Sequence, residues 1–159
     1  MFGFFTKQIE LLDSGWMKNL KDESKITFRL NGVKIQDNRT KLESILNQNH
    51  VVFSINYPLV NDREQVEYIC TGYKYKLQKN QIVGFAITNT NVSKNEIIEN
   101  LGDPTKVTPI IGEIFSMDFF EIEGYIWEYE GLNLEVTFDE NELVAQAFHV
   151  GQKLYYFDN

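Results

Sequence analysis

Asp118, Glu121 and Glu123 stand close together in the chain and could supply the acid and base of a hydrolase. A glycosidase pair needs two carboxyls at a fixed separation across a sugar cleft, and Trp127 is an aromatic of the kind that stacks on a sugar ring. No spacing in the sequence imposes that separation, and a solvated acidic patch accounts for the same residues. The other reactive groups are few: Cys70, His50 and His149. Cys70 lies in an apolar stretch, where a thiol packs as a small hydrophobe. His149 sits between Phe148 and Val150 in an alternating segment, and a Cys–His pairing is left open. Gly-rich phosphate loops, Gly-x-Ser-x-Gly, His-Glu-x-x-His and paired-cysteine zinc spacings are absent. Asp139-Glu140-Asn141-Glu142 has the acidity of a calcium loop, but Leu143 stands where a further ligand is required and no glycine follows. The expectation is a chain without a catalytic centre, metal or cofactor.

The acids are unevenly placed. The formal charge is −8, yet residues 1–106 carry 14 Lys/Arg against 12 Asp/Glu, and residues 107–159 carry a single base, Lys153, against 11 acids. Between Lys106 and Lys153 there is no cationic side chain. Nucleic acid is disfavoured as a partner, because phosphates require Lys/Arg neutralisation. An anionic membrane is disfavoured for the same reason. A cationic protein is the partner this charge suits.

Two stretches share one plan, which predicts an internal repeat. Thr40-Lys41-Leu42-Glu43 and Ser93-Lys94-Asn95-Glu96 both read as capping boxes, each opening a short amphipathic helix. Leu42, Ile45 and Leu46 form the apolar stripe of one; Ile97, Ile98 and Leu101 form that of the other. Strand-like stretches precede them at 26–35, turning at Asn31-Gly32, and at 82–88. Tyr68-Ile69 and Tyr125-Ile126 are expected to open matching strand pairs. The run from Asn80 to Ile87 aligns with that from Asn141 to Phe148, setting Ile82 on Leu143. The reading is a single α+β domain over 1–159. It comprises repeat one at 26–87 and repeat two at 82–150, sharing the strand 82–87, with antiparallel strands in a meander and helices on one sheet face. Phe5, Ile9, Leu12, Trp16 and Leu20 fall at helical spacing and predict an N-terminal helical segment, 1–22.

Within Tyr125-Ile126-Trp127-Glu128-Tyr129-Glu130 the aromatics point one way and Ile126, Glu128 and Glu130 the other. The aromatic side is either core or interface. In the first case Glu128 and Glu130 are presented rigidly on the outer face; in the second Trp127 and Tyr129 are contact anchors. The candidate partner-binding residues are Asp118, Glu121, Glu123, Trp127, Glu128 and Tyr129, continuing through Glu130, Glu135, Asp139 and Glu140.

A capped helix ending in Leu101-Gly102-Asp103-Pro104, a strand carrying Trp127-x-Tyr129 and a strand carrying Val136 and Phe138 resemble the repeat of the SmpA and β-lactamase-inhibitor-protein-like group, over residues about 88–150. The resemblance implies a protein-binding module with no catalytic centre. Small size, acidity and lack of catalytic motifs also make the chain look like bacterial toxin-immunity proteins, which implies a cationic toxin as partner, a nuclease among the candidates. An assembly module that forms a homodimer through its +2 and −10 halves is the alternative, and a carboxylate hydrolase the second alternative. A single cysteine suits a reducing compartment, and Met1-Phe2-Gly3-Phe4-Phe5-Thr6-Lys7 lacks the basic start of an export signal, so the expected location is cytoplasmic.

Overall fold

Asn31 and Gly32 have φ of 60° and 82°, the geometry of the two-residue hairpin turn that an Asn-Gly pair favours. They join β1 (Arg29–Leu30) to β2 (Val33–Lys34), the hairpin expected in the 26–35 stretch, of which residues 26–28 lie outside the described residues. The computed structural model describes residues 29–88, 91–114 and 119–151. The helical segment expected at 1–22 lies outside them.

Helix α1 (Arg39–Gln48) follows, with Leu42 and Leu46 as its buried stripe. Its N-cap is Asn38, whose side-chain oxygen accepts from the Lys41 N–H at 2.8 Å; Thr40, expected as the cap, is already helical. Asparagine caps at least as well as threonine and lies one turn-closing step earlier, so it takes the position. Four strands then form a meander: β3 (Ser54–Asn56), β4 (Gln65–Ile69), β5 (Tyr73–Gln78) and β6 (Gln81–Thr88). Tyr68-Ile69 therefore ends β4 instead of opening a strand. Helix α2 (Lys94–Leu101) is capped as expected: Ser93 Oγ accepts from the Glu96 N–H, and Gly102 ends it at φ 80°. A second meander follows, β7 (Lys106–Ile114), β8 (Phe119–Tyr129), β9 (Leu134–Asp139) and β10 (Ala145–Gly151), and Tyr125-Ile126 falls inside β8.

The eight strands from β3 to β10 make one antiparallel sheet in the order β3-β4-β5-β6-β10-β9-β8-β7. Each helix thus precedes a four-stranded meander, and the two meanders meet where their last strands pair. Cα partners share a sheet face, so Tyr68, Tyr75, Phe85, Val150, Leu134 and Tyr129 form one continuous buried row across six strands. Arg39 of α1 lies over Tyr68, and Gly102 at the end of α2 accepts from Tyr129, so both helices cover this same face. The architecture is α+β and predominantly strand.

The two units agree in local detail. Asn38 bridges Gln81 at the start of β6, and Ser93 bridges Val144 at the start of β10. Val83 is an extra residue on β6 opposite Lys76-Leu77, and Gln146 an extra residue on β10 opposite Thr137-Phe138. Arg39 stands 5.3 Å from the Tyr68 ring centroid and Lys94 5.8 Å from that of Trp127. These features superpose Ile82 on Ala145, Phe85 on Phe148 and Tyr68 on Trp127, two residues away from the alignment expected from sequence. A shift of two preserves which side chains face inward, so alternation alone does not distinguish the registers.

Candidate partner-binding face

Alternation along β8 divides its side chains as the sequence indicated, and the aromatic side is core. Trp127 is 3% exposed, with its ring centroid 4.7 Å from that of Phe138. Its Nε1–H donates to Glu142 Oε2 at 2.6 Å, and the other carboxylate oxygen lies 3.6 Å from Lys94 Nζ. Tyr129 is also buried and its hydroxyl donates to Gly102 O at 2.9 Å; burial pushes the phenol up to about 12. Trp127 and Tyr129 are thereby removed from direct contact with a partner: their apolar surface is spent on the core, and they support the strand from beneath.

The opposite side of the same strand carries the charge. Glu128 and Glu135 are Cα partners across β8 and β9, an arrangement of like charges that disfavours the isolated fold. Glu130 opens the 3-10 turn Glu130–Leu132, fixed by a hydrogen bond from its N–H to Thr105 Oγ1 at 3.1 Å. Asn133 closes the turn in the left-handed region at φ 51°, a conformation asparagine tolerates. Glu128, Glu130 and Glu135 together rim an open depression of about 160 Å³; among the described residues its lining also includes Asn133 and His149 but no lysine or arginine, while Lys76 Nζ stands 3.4 Å from Nδ1 of His149. Lys106 faces Glu128 as its Cα partner on β7, yet no ion pair joins Glu128 or Glu130 to a described cation.

The remaining candidates lie elsewhere. Glu121 and Glu123 are exposed toward the start of β8, roughly 17 Å from Glu128 for Glu123 at ~3.4 Å per strand residue. Asp139 pairs with Gly124 at that end, and its Oδ1 accepts from the N–H groups of Asn141 and Glu142 at 3.0 and 3.2 Å. This carboxylate shapes the β9–β10 turn, and Glu140 is exposed within the turn. Asp118 lies outside the described residues. The acids thus form two groups on the second unit, one at each end of β8.

Two networks were not legible beforehand because their members are distant in sequence. Glu142 holds Trp127 and Lys94 as described. In the first unit, Arg39 donates from Nε to Tyr68 Oη and from Nη2 to Tyr57 Oη at 3.2 Å, while the Tyr68 hydroxyl donates to Glu43. Burial pushes Tyr68 up to about 12, and the hydrogen bond from Arg39 pulls Tyr57 below the usual phenol value. Arg63 stacks 3.7 Å above the Tyr57 ring. Cys70 is buried, which pushes its thiol up to about 11. Among the described residues no group of three or more His, Cys, Asp and Glu is arranged to hold a metal, and no helix is long and apolar enough to cross a membrane.

No family model, no curated protein and no solved structure matches this chain.

Proposed function

We propose that this chain is a non-catalytic binding module that captures a cationic protein through the acidic face of its second unit, in the manner of an immunity protein neutralising a toxin. The observation that carries this reading is the depression rimmed by Glu128, Glu130 and Glu135, with no lysine or arginine among the described residues that line it. Glu128 and Glu130 repel one another in the free protein, and a partner's lysine or arginine entering between them relieves that repulsion. Complementary potential also speeds encounter and selects the partner. The wider charge map supports the same direction. Residues 29–88 hold eight Lys/Arg against five Asp/Glu, whereas the described residues from 91 to 151 hold two against twelve. A nuclease, whose phosphate-binding groove is basic, is a partner of the required chemistry. The buried, free Cys70 suits a reducing compartment, which goes with a cytoplasmic site of action.

We read the two helix-and-meander units as duplicated copies that have diverged in charge. Matched cap bridges, matched extra residues and matched cation-over-ring contacts support that descent, and the second copy has become the acidic one. The same asymmetry favours a second reading, an assembly module in which the basic unit of one copy meets the acidic unit of another. Solution mass separates the two: a monomer at all salt concentrations supports capture of a foreign partner, and a salt-sensitive homodimer supports self-assembly.

The test is affinity capture at low salt from a lysate of the protein's own source, with an E128K/E130K variant in parallel. The expected result is a basic protein retained by the wild type and lost by the variant. Equal retention by both would overturn the assignment to this face.

A further inference from the structure

We propose that the outer edge of β7 is a second contact for the same partner, taking an extended cationic segment of that protein as an added strand. The inference rests on the reading that the partner is cationic. Among the described residues the sheet ends at β7, whose nine residues pair with β8 on one side, whereas the opposite edge, β3, has three residues. Among the described residues nothing pairs with the outer side of β7. Val107 and Ile111 are 46% and 51% exposed on it, and Ile122, the Cα partner of Ile111, is exposed beside them. Edge strands are ordinarily blunted by charge, proline or brevity. Here Pro109 interrupts the ladder once and the charged residues, Lys106 and Glu113, stand only toward its two ends, leaving a run of backbone donors and acceptors for strand addition.

Gly112 gives this edge its charge preference. A Cβ built on Gly112 would fall onto the carboxylate of Glu123. The missing side chain is thus the space through which Glu123 reaches across β7 from β8. Glu121 is the Cα partner of Gly112, so two carboxylates flank this point of the edge. An added strand lies ~4.8 Å beyond β7, within the reach of a lysine or arginine side chain to Glu123. A second copy offering its own β7 would bring Glu121 and Glu123 against their duplicates, which disfavours self-pairing and favours a basic segment.

The probe is a synthetic nine-residue peptide of alternating valine and lysine, beside the same peptide N-methylated at alternate residues. The unmethylated peptide is expected to bind, to weaken with added salt and to slow hydrogen exchange of the β7 amides; the methylated one, equal in charge, should lose at least tenfold in affinity. G112A keeps the net charge and a permitted backbone conformation but displaces the flexible end of Glu123. G112A and E123Q should each weaken binding roughly two- to five-fold, the scale of one exposed ion pair, with melting temperature unchanged. Equal binding of the two peptides, or binding that leaves β7 exchange unaltered, would overturn the edge contact. So would β7 protection that rises with protein concentration before peptide is added, which would assign the edge to a second copy. None of these outcomes touches the E128K/E130K capture result, so failure of the edge and failure of the acidic depression are separable.

Discussion

Trp127 shows how one side chain serves both the core and the charged face above it. Its ring packs on Phe138, its Nε1–H meets Glu142, and Lys94 lies over it. Trp127→Ala should cost ~3–5 kcal/mol, the range for removing a large buried aromatic, read as a fall in the denaturant midpoint. Trp127→Phe keeps much of the packing but loses a hydrogen bond to a charged acceptor, and should cost ~1.5–3 kcal/mol. The buried hydroxyls and thiol make a separate prediction. Burial holds Tyr68 and Tyr129 at about 12 and Cys70 at about 11, above the ordinary values of 10.0 and 9.0. The unfolded chain releases these protons first on raising pH. It then binds fewer protons than the folded chain, and stability falls as pH rises. The contribution is intact below pH 9, falls for Cys70 between pH 9 and 11, and for the tyrosines between pH 10 and 12. In an alkaline titration tyrosinate absorbance should rise in an early phase that includes Tyr57 and leaves far-ultraviolet circular dichroism unchanged, and in a late phase that coincides with its loss; completion of the tyrosinate rise well before unfolding would contradict it.

At the scale of the elements, the helix caps discriminate most sharply. Asn38→Ala should destabilise by ~1 kcal/mol because an N–H of the first turn of α1 loses its acceptor. Thr40→Ala should be within ~0.5 kcal/mol of the parent, since Thr40 is exposed and caps nothing. Thermal denaturation of the two variants checks the order. The Thr-x-x-Glu pattern alone pointed to Thr40, because a capping box and a helical Thr two residues inside an Asn cap look alike in sequence. The Ser93 cap, the Gly102 stop and the Asn31-Gly32 turn were legible, each being set by local backbone chemistry. The pairing of β6 with β10 was not: alternation reports which face a residue takes but not which strand lies beside it. That same period of two placed Ile82 on Leu143 when the bulges at Val83 and Gln146 set it on Ala145. The candidate acids were legible as charges, whereas their division between the two ends of β8 required the register.

Across the whole molecule the sheet joins a unit with a slight basic excess to one whose described residues carry twelve acids and two bases. Repulsion within the second unit opposes folding and is screened by salt, with a Debye length of ~10 Å at 0.1 M. Raising sodium chloride from low ionic strength should therefore raise the melting temperature of the free protein, while binding of the cationic partner weakens. Opposite responses of stability and affinity are the signature of acids retained for encounter and not for folding. The most direct measurement is the association rate of the purified partner across a salt series, for wild type and E128K/E130K. The account predicts a wild-type rate that falls steeply with salt and a variant rate that is lower and nearly flat. Equal rates with equal salt dependence would contradict it.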